Sequence, residues 1–183
     1  LVGKTKGTVT TSNKLVIQVD RSIDEVQELD VLVVPGGALE TAQATLDPAI
    51  LSWVRKIDQT SIYTTSVCTG AWVLGAAGLL QGKRATTHWY RAEHMLEKYG
   101  AEFVDQRWTR DGKYWTSAGV TAGLDMALGM VQQLYGTEYT QAVMLDLQYD
   151  PRPPVRGGTP EKSPPIVASL MEERYDFFLS WFL

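Results

Sequence analysis

Ile62-Tyr63-Thr64-Thr65-Ser66-Val67-Cys68-Thr69-Gly70-Ala71-Trp72-Val73-Leu74-Gly75-Ala76-Ala77-Gly78 changes character once along its length. Its first six residues are rich in β-branched and aromatic side chains, as a strand requires. From Ala71 the residues are helix-compatible and apolar, and Gly78 supplies a stop. Between the two lies Cys68-Thr69-Gly70, so the local order is strand, tight turn, helix. Working back, Asp30-Val31-Leu32-Val33-Val34-Pro35-Gly36-Gly37 is an apolar run closed by proline and two glycines. A run apolar on both faces suits a buried parallel strand. Leu15 to Val19 reads as a further strand. Asp47-Pro48 reads as an N-cap and first-turn pair opening a helix through Ile50, Leu51, Val54 and Ile57.

Working forward, Arg84 to Thr87 reads as a strand, followed by a helix from Trp89 to Tyr99 closed by Gly100. Glu102 to Trp108 and Tyr114 to Ser117 read as strands flanking Asp111-Gly112, a hairpin signal. Helices follow over 121–135 and 138–148. Residues 150–165 carry six prolines and two glycines and are expected to form an extended, irregular loop. The segment 166–183, ending in Phe177, Phe178, Trp181 and Phe182, reads as a terminal helix that docks on the core, with dimerisation the other role open to it. The alternation predicts an α/β domain, a mainly parallel sheet with helices on both faces, and a site at the carboxyl ends of the strands.

The chain has 183 residues and a formal net charge of −4, from 17 Lys and Arg against 21 Asp and Glu. One domain is the expectation at this size. The acidic balance offers no surface for phosphate backbones or anionic lipid, so nucleic acid and membranes are not expected partners. No apolar run is long enough to span a bilayer, and a cytoplasmic protein is expected. A single cysteine excludes an internal disulfide. The only histidines, His88 and His94, do not share a helical face, so no metal site is read.

Cys68 is either an inert core residue or a reactive group. Its place after a strand and before a helix favours reactivity, because unpaired backbone N–H groups and the helix dipole lower a thiol pKa. Pro35-Gly36-Gly37 ends a neighbouring strand without bulky side chains, leaving amides that can donate to developing negative charge. His88 reads as a structural hydrogen-bonding residue and Asp125 as a cap or a partner to backbone amides. Trp72, Trp89, Trp108 and Trp115 read as core packing in preference to a pocket lining.

The segments Asp30 to Gly37, Thr65 to Gly70 and Gly78 to Trp89 together resemble the ThiJ/PfpI superfamily, and within it the isonitrile (isocyanide) hydratases. Arg110-Asp111-Gly112, Ser117 to Asp125, and Gln148 to Pro151 leading into Pro153-Pro154 extend the resemblance. It implies a flavodoxin-like fold, a homodimer, a small-molecule substrate and a cysteine at a nucleophile elbow. The implied reaction is cofactor-free hydration of an isocyanide to an N-substituted formamide through a covalent thioimidate on Cys68. Thr69 would hydrogen-bond near the sulfur, backbone amides around Gly36, Gly37 and Thr69 would stabilise charge, Gly70 would belong to the same oxyanion and substrate-binding set, and Val120 and Thr121 would shape the pocket. Thr69 stands where the peptidase and deglycase branches often carry histidine, which disfavours peptidase chemistry.

The resemblance also implies an upstream strand and helix bearing an acid/base carboxylate that nothing here matches. The chain is therefore expected to be N-terminally incomplete, with an open sheet edge beside Val31 to Val34. Asp20, Asp24 and Glu40 are the substitutes in reach, each expected to be a solvated surface charge. Two other readings stay open: the ligand-sensing domain of an AraC-type transcriptional regulator, and a redox protein that oxidises Cys68 to a sulfinate.

Overall fold

The computed structural model of the chain describes residues 1–11, 14–37, 39–180 and 182. At its centre is a four-stranded sheet in the order β5-β6-β10-β9, made of β5 (Val31–Val34), β6 (Tyr63–Val67), β10 (Tyr114–Ser117) and β9 (Trp108–Asp111). β5, β6 and β10 run parallel, and β9 returns antiparallel to β10 through the expected Asp111-Gly112 hairpin. Three two-stranded pairs flank the sheet: β1 (Val2–Gly3) with β4 (Arg21–Ser22), β2 (Gly7–Thr10) with β3 (Val16–Val19), and β7 (Arg84–Ala85) with β8 (Glu102–Phe103). The β2–β3 hairpin was not expected from sequence, and the expected strand over 102–108 is divided between β8 and β9.

The helices are α1 (Leu39–Ala44), α2 (Pro48–Thr60), α3 (Gly70–Ala76), α4 (Ala92–Glu97), α5 (Ala122–Tyr135), α6 (Thr137–Asp146) and α7 (Pro165–Leu179). α2 begins as expected, with the Asp47 carboxylate accepting from the N–H groups of Ala49 and Ile50. α4 is shorter than its pattern suggested, because Arg91 adopts a left-handed conformation, φ 47°, at its N-cap and breaks the helix before Ala92. The proline-rich stretch is irregular apart from a 3-10 turn at Pro160–Lys162.

The core lies between the sheet and its helices: Leu32, Val54, Ile57, Ala71, Leu74, Leu80 and Leu96 form one cluster, and Trp72, Tyr90, Met95 and Leu179 a second. Trp72 and Trp115 are buried, as core packing predicts, and Trp108 stacks on Trp115 at 5.3 Å. α7 docks by a narrow stripe: Ala168, Met171 and Tyr175 are half-buried and Leu179 is fully buried. Phe182 stacks on Trp72, whereas Ile166, Leu170, Phe177 and Phe178 face solvent. The docking expectation therefore holds for one face of the helix only; Trp181 and Leu183 lie outside the described residues.

The open edge expected beside β5 is present. Among the described residues no strand pairs with its outer side, and Val33 is 55% exposed. A groove of 630 Å³ runs along this edge, lined by Val31, Val33, Ile50 and Trp53, and reaches Gly36 and Gly37. No helix of the described residues is long and apolar enough to cross a membrane.

Candidate active site

β6 delivers Cys68 at its carboxyl end, and the chain turns there at φ 58°, a left-handed conformation rare for a residue with a side chain. The turn is tied on three sides. The Cys68 N–H donates to the Ser117 carbonyl at 3.0 Å, at the end of β10. The Cys68 carbonyl accepts from the Thr87 hydroxyl at 2.8 Å. The Thr69 hydroxyl accepts the Gly37 N–H at 3.0 Å and donates to the Gly37 carbonyl, joining the elbow to the end of β5.

Two glycines make that approach possible. A Cβ on Gly36 would stand 2.7 Å from the Cys68 Cβ, and one on Gly70 would stand 2.3 Å from the Val34 carbonyl oxygen. Backbone contacts this close exclude any side chain. Gly70 therefore serves the turn sterically. Gly37 departs from the charge-stabilising role the resemblance implied: its N–H is already donated to Thr69.

The electrostatics of Cys68 run against the sequence expectation. Burial pushes the thiol above its ordinary value, and the opposing pull of the Thr69 N–H and hydroxyl is smaller. Helix α3, which follows the elbow, has only seven residues.

The structure thus brings Cys68, Thr69, Gly70, Gly36 and Gly37 to one point. Val120 and Thr121 stand at the head of α5, three and four residues beyond Ser117, and both are exposed. Asp125 is not a partner of backbone amides: it pairs with Arg107 and accepts from the Tyr149 hydroxyl. Asp20, Asp24 and Glu40 are exposed, and only Glu40 reaches the neighbourhood, its carboxylate 3.8 Å from where a Gly37 Cβ would be.

Sequence reading missed the roles of Thr87 and Ser117 in holding the elbow, and the approach of Tyr175. The Tyr175 hydroxyl lies 3.4 Å from His88 Nε2. Burial holds His88 down at about 4, so it is neutral at physiological pH. Among the described residues no cluster of three or more His, Cys, Asp or Glu side chains is placed to hold a metal ion.

A cysteine at a left-handed elbow between a parallel strand and a buried helix defines an α/β elbow-cysteine domain. The chain belongs to the DJ-1/PfpI family, whose pattern it matches over residues 1–133. It is similar to isonitrile hydratase from Pseudomonas putida, with 43% identity over 95% of this chain and 75% of that protein. It is also similar to the HTH-type transcriptional regulator CdhR from Pseudomonas aeruginosa, 35% identical over 72% of this chain but only 39% of the regulator. Among solved structures, a ThiJ/PfpI family protein from Pseudomonas syringae superposes with a TM-score of 0.91 at 36% identity, covering 100% of this chain and 74% of that one.

Proposed function

We propose that the protein hydrates isonitriles to N-substituted formamides as a single domain, with Cys68 as the nucleophile. The observation that carries the reading is the Cys68 elbow: a strained turn, fixed from β5, β10 and Thr87, that holds a thiol at the strand ends. The likeness to the Pseudomonas putida hydratase supports this choice of reaction.

In the proposed sequence the sulfur bonds to the terminal carbon of R–N≡C while the proton given up by the thiol ends on that same carbon, giving R–N=CH–S–Cys68. Water then adds across the C=N bond, its oxygen to carbon and a proton to nitrogen. Collapse of this adduct breaks the C–S bond, returns a proton to sulfur and releases R–NH–CHO. One water is consumed and no electrons are exchanged, so no redox cofactor is needed. Thr69 and the amides beside it would stabilise charge at the reacting centre, with Val120 and Thr121 at the pocket rim.

The reading includes a cytoplasmic homodimer. Exposed Leu124, Leu134, Tyr135 and Leu145 on α5 and α6, with Phe177 on α7, support a second copy as the covering partner. The similarity to CdhR favours a second reading, a ligand-sensing domain that binds a small molecule without turning it over. Burial of the thiol works against the sulfinate reading, which needs an accessible thiolate.

The test is formamide production from alkyl and aryl isonitriles. The unmodified chain should turn them over, and Cys68→Ala should lose on the order of a thousandfold or more. Saturable binding without product would transfer the proposal to the sensor.

A further inference from the structure

We infer that Thr87 is a positioning residue for the reacting centre: by holding the Cys68 carbonyl, its hydroxyl sets the direction in which the Thr69 N–H points. The inference deepens the reading of Cys68 as the working group and rests on it.

The two peptide units that flank Cys68 are held by different means. The unit before it is fixed by backbone alone, through the Cys68 N–H on the Ser117 carbonyl at 3.0 Å. The unit after it is fixed at its carbonyl by a side chain, the Thr87 hydroxyl at 2.8 Å. A trans peptide is planar and carries its C=O and N–H on opposite edges. A carbonyl drawn toward Thr87 therefore turns the Thr69 N–H to the far side of the same plane. Among the described residues no carbonyl or side-chain oxygen accepts from that N–H. It stands beside bare backbone: a Cβ on Gly36 would lie 3.1 Å from the Thr69 nitrogen and 2.7 Å from the Cys68 Cβ. An N–H next to the nucleophile and without an oxygen acceptor is a donor for negative charge that develops on the sulfur or its adduct. Its pull on the thiol already opposes the larger effect of burial.

Thr87 has little freedom of its own. It is buried, and it follows Thr86, whose N–H donates to Thr116 Oγ1 at 2.8 Å and whose hydroxyl donates to the Gln106 carbonyl at 3.0 Å. The segment after β7 is thereby pinned to β10, the strand whose Ser117 carbonyl holds the other peptide unit. Neighbouring residues of one strand thus serve both planes. The left-handed turn at Cys68 is costly for a residue with a side chain, so the second plane should tilt once its anchor is gone.

Because the chain has one cysteine, the rate of its alkylation by iodoacetamide, followed by mass spectrometry across pH, reads the Cys68 titration directly. Thr87→Val keeps the shape of the side chain and removes the hydroxyl. It should move the profile up by about half a pH unit, slowing alkylation about threefold at a fixed pH below the midpoint. Thr87→Ala, which presses no methyl on the carbonyl, should move it in the same direction, and Thr87→Ser, which restores the donor, should return it. In isonitrile turnover Thr87→Val should lower kcat about tenfold and leave KM in place. Ser61→Ala deletes another buried hydroxyl-to-carbonyl bond, 2.9 Å to Ile57 at the far end of β6, and should leave the alkylation profile where it is. Thr87→Val and Thr87→Ala profiles superimposing on that of the unsubstituted chain, a Thr87→Ser profile matching Thr87→Val, or an equal shift from Ser61→Ala overturns the inference. Alkylation needs no isonitrile, so a chain that shows these shifts but makes no formamide sinks the reaction and keeps the role of Thr87 at the elbow.

Discussion

The two sides of β5 are built to opposite standards. Its carboxyl end, toward β6, is a place where single atoms are counted: Gly36, Gly70 and the Thr69 hydroxyl let two backbones meet at Cys68 with no room for a further carbon. Its outer side is an open edge with exposed valines and a groove of 630 Å³. Strain and close packing are concentrated where the thiol must be held, and the structure around them makes up the cost. An uncovered apolar edge, by contrast, contributes little to the stability of the fold that bears it.

The largest effect should follow from adding one methyl group at the elbow. Gly70→Ala drives a Cβ into the Val34 and Pro35 carbonyls and should cost about 3 kcal/mol or more, measured as a drop in the urea midpoint. Retention of full stability would mean that the two strands do not meet as described.

A pH effect comes next. The folded-state pKa of His88 is depressed to about 4 from an ordinary 6.5, so its contribution is fully present above pH 6.5 and is lost as pH falls through about 4. Over that window the unsubstituted chain should lose up to about 3 kcal/mol more than His88→Gln. Equal slopes for the two would place His88 in water.

Thr69→Val deletes the hydroxyl that ties Gly37 to the elbow and should cost about 1–2 kcal/mol, read by the same denaturation. At the other side of the comparison, Val33→Thr on the open edge should change stability by less than about 0.5 kcal/mol. A loss as large as that at Thr69 would show that the edge is covered in solution, and would erase the contrast.

Much of the elbow was legible because its signals are local. A β-branched run ending in Cys-Thr-Gly can only turn sharply, Asp47-Pro48 names its own helix start, and Asp111-Gly112 names its hairpin. The parallel running of β5 and β6 followed from alternation of strands and helices, whereas β10 was read only as half of an antiparallel ribbon and its parallel pairing with β6 was not foreseen. What sequence did not give was set by distance or by burial. Tyr175 reaches His88 from 87 residues away through the docking of α7, and no periodicity reports such a meeting. The thiol was expected to be depressed by its turn and is raised instead, because position along the chain says nothing of how much water reaches the sulfur. α4 was over-extended because helical spacing from Trp89 onward cannot reveal that Arg91 turns left-handed.

The central claim is that Cys68 forms a bond to the isonitrile carbon, and rapid-quench mass spectrometry of the intact chain during turnover tests it most directly. The account predicts a transient gain equal to the mass of the isonitrile, located on the peptide that carries Cys68 and absent from Cys68→Ala. Formamide produced at full rate by Cys68→Ala, with no adduct in the unsubstituted chain, would contradict it.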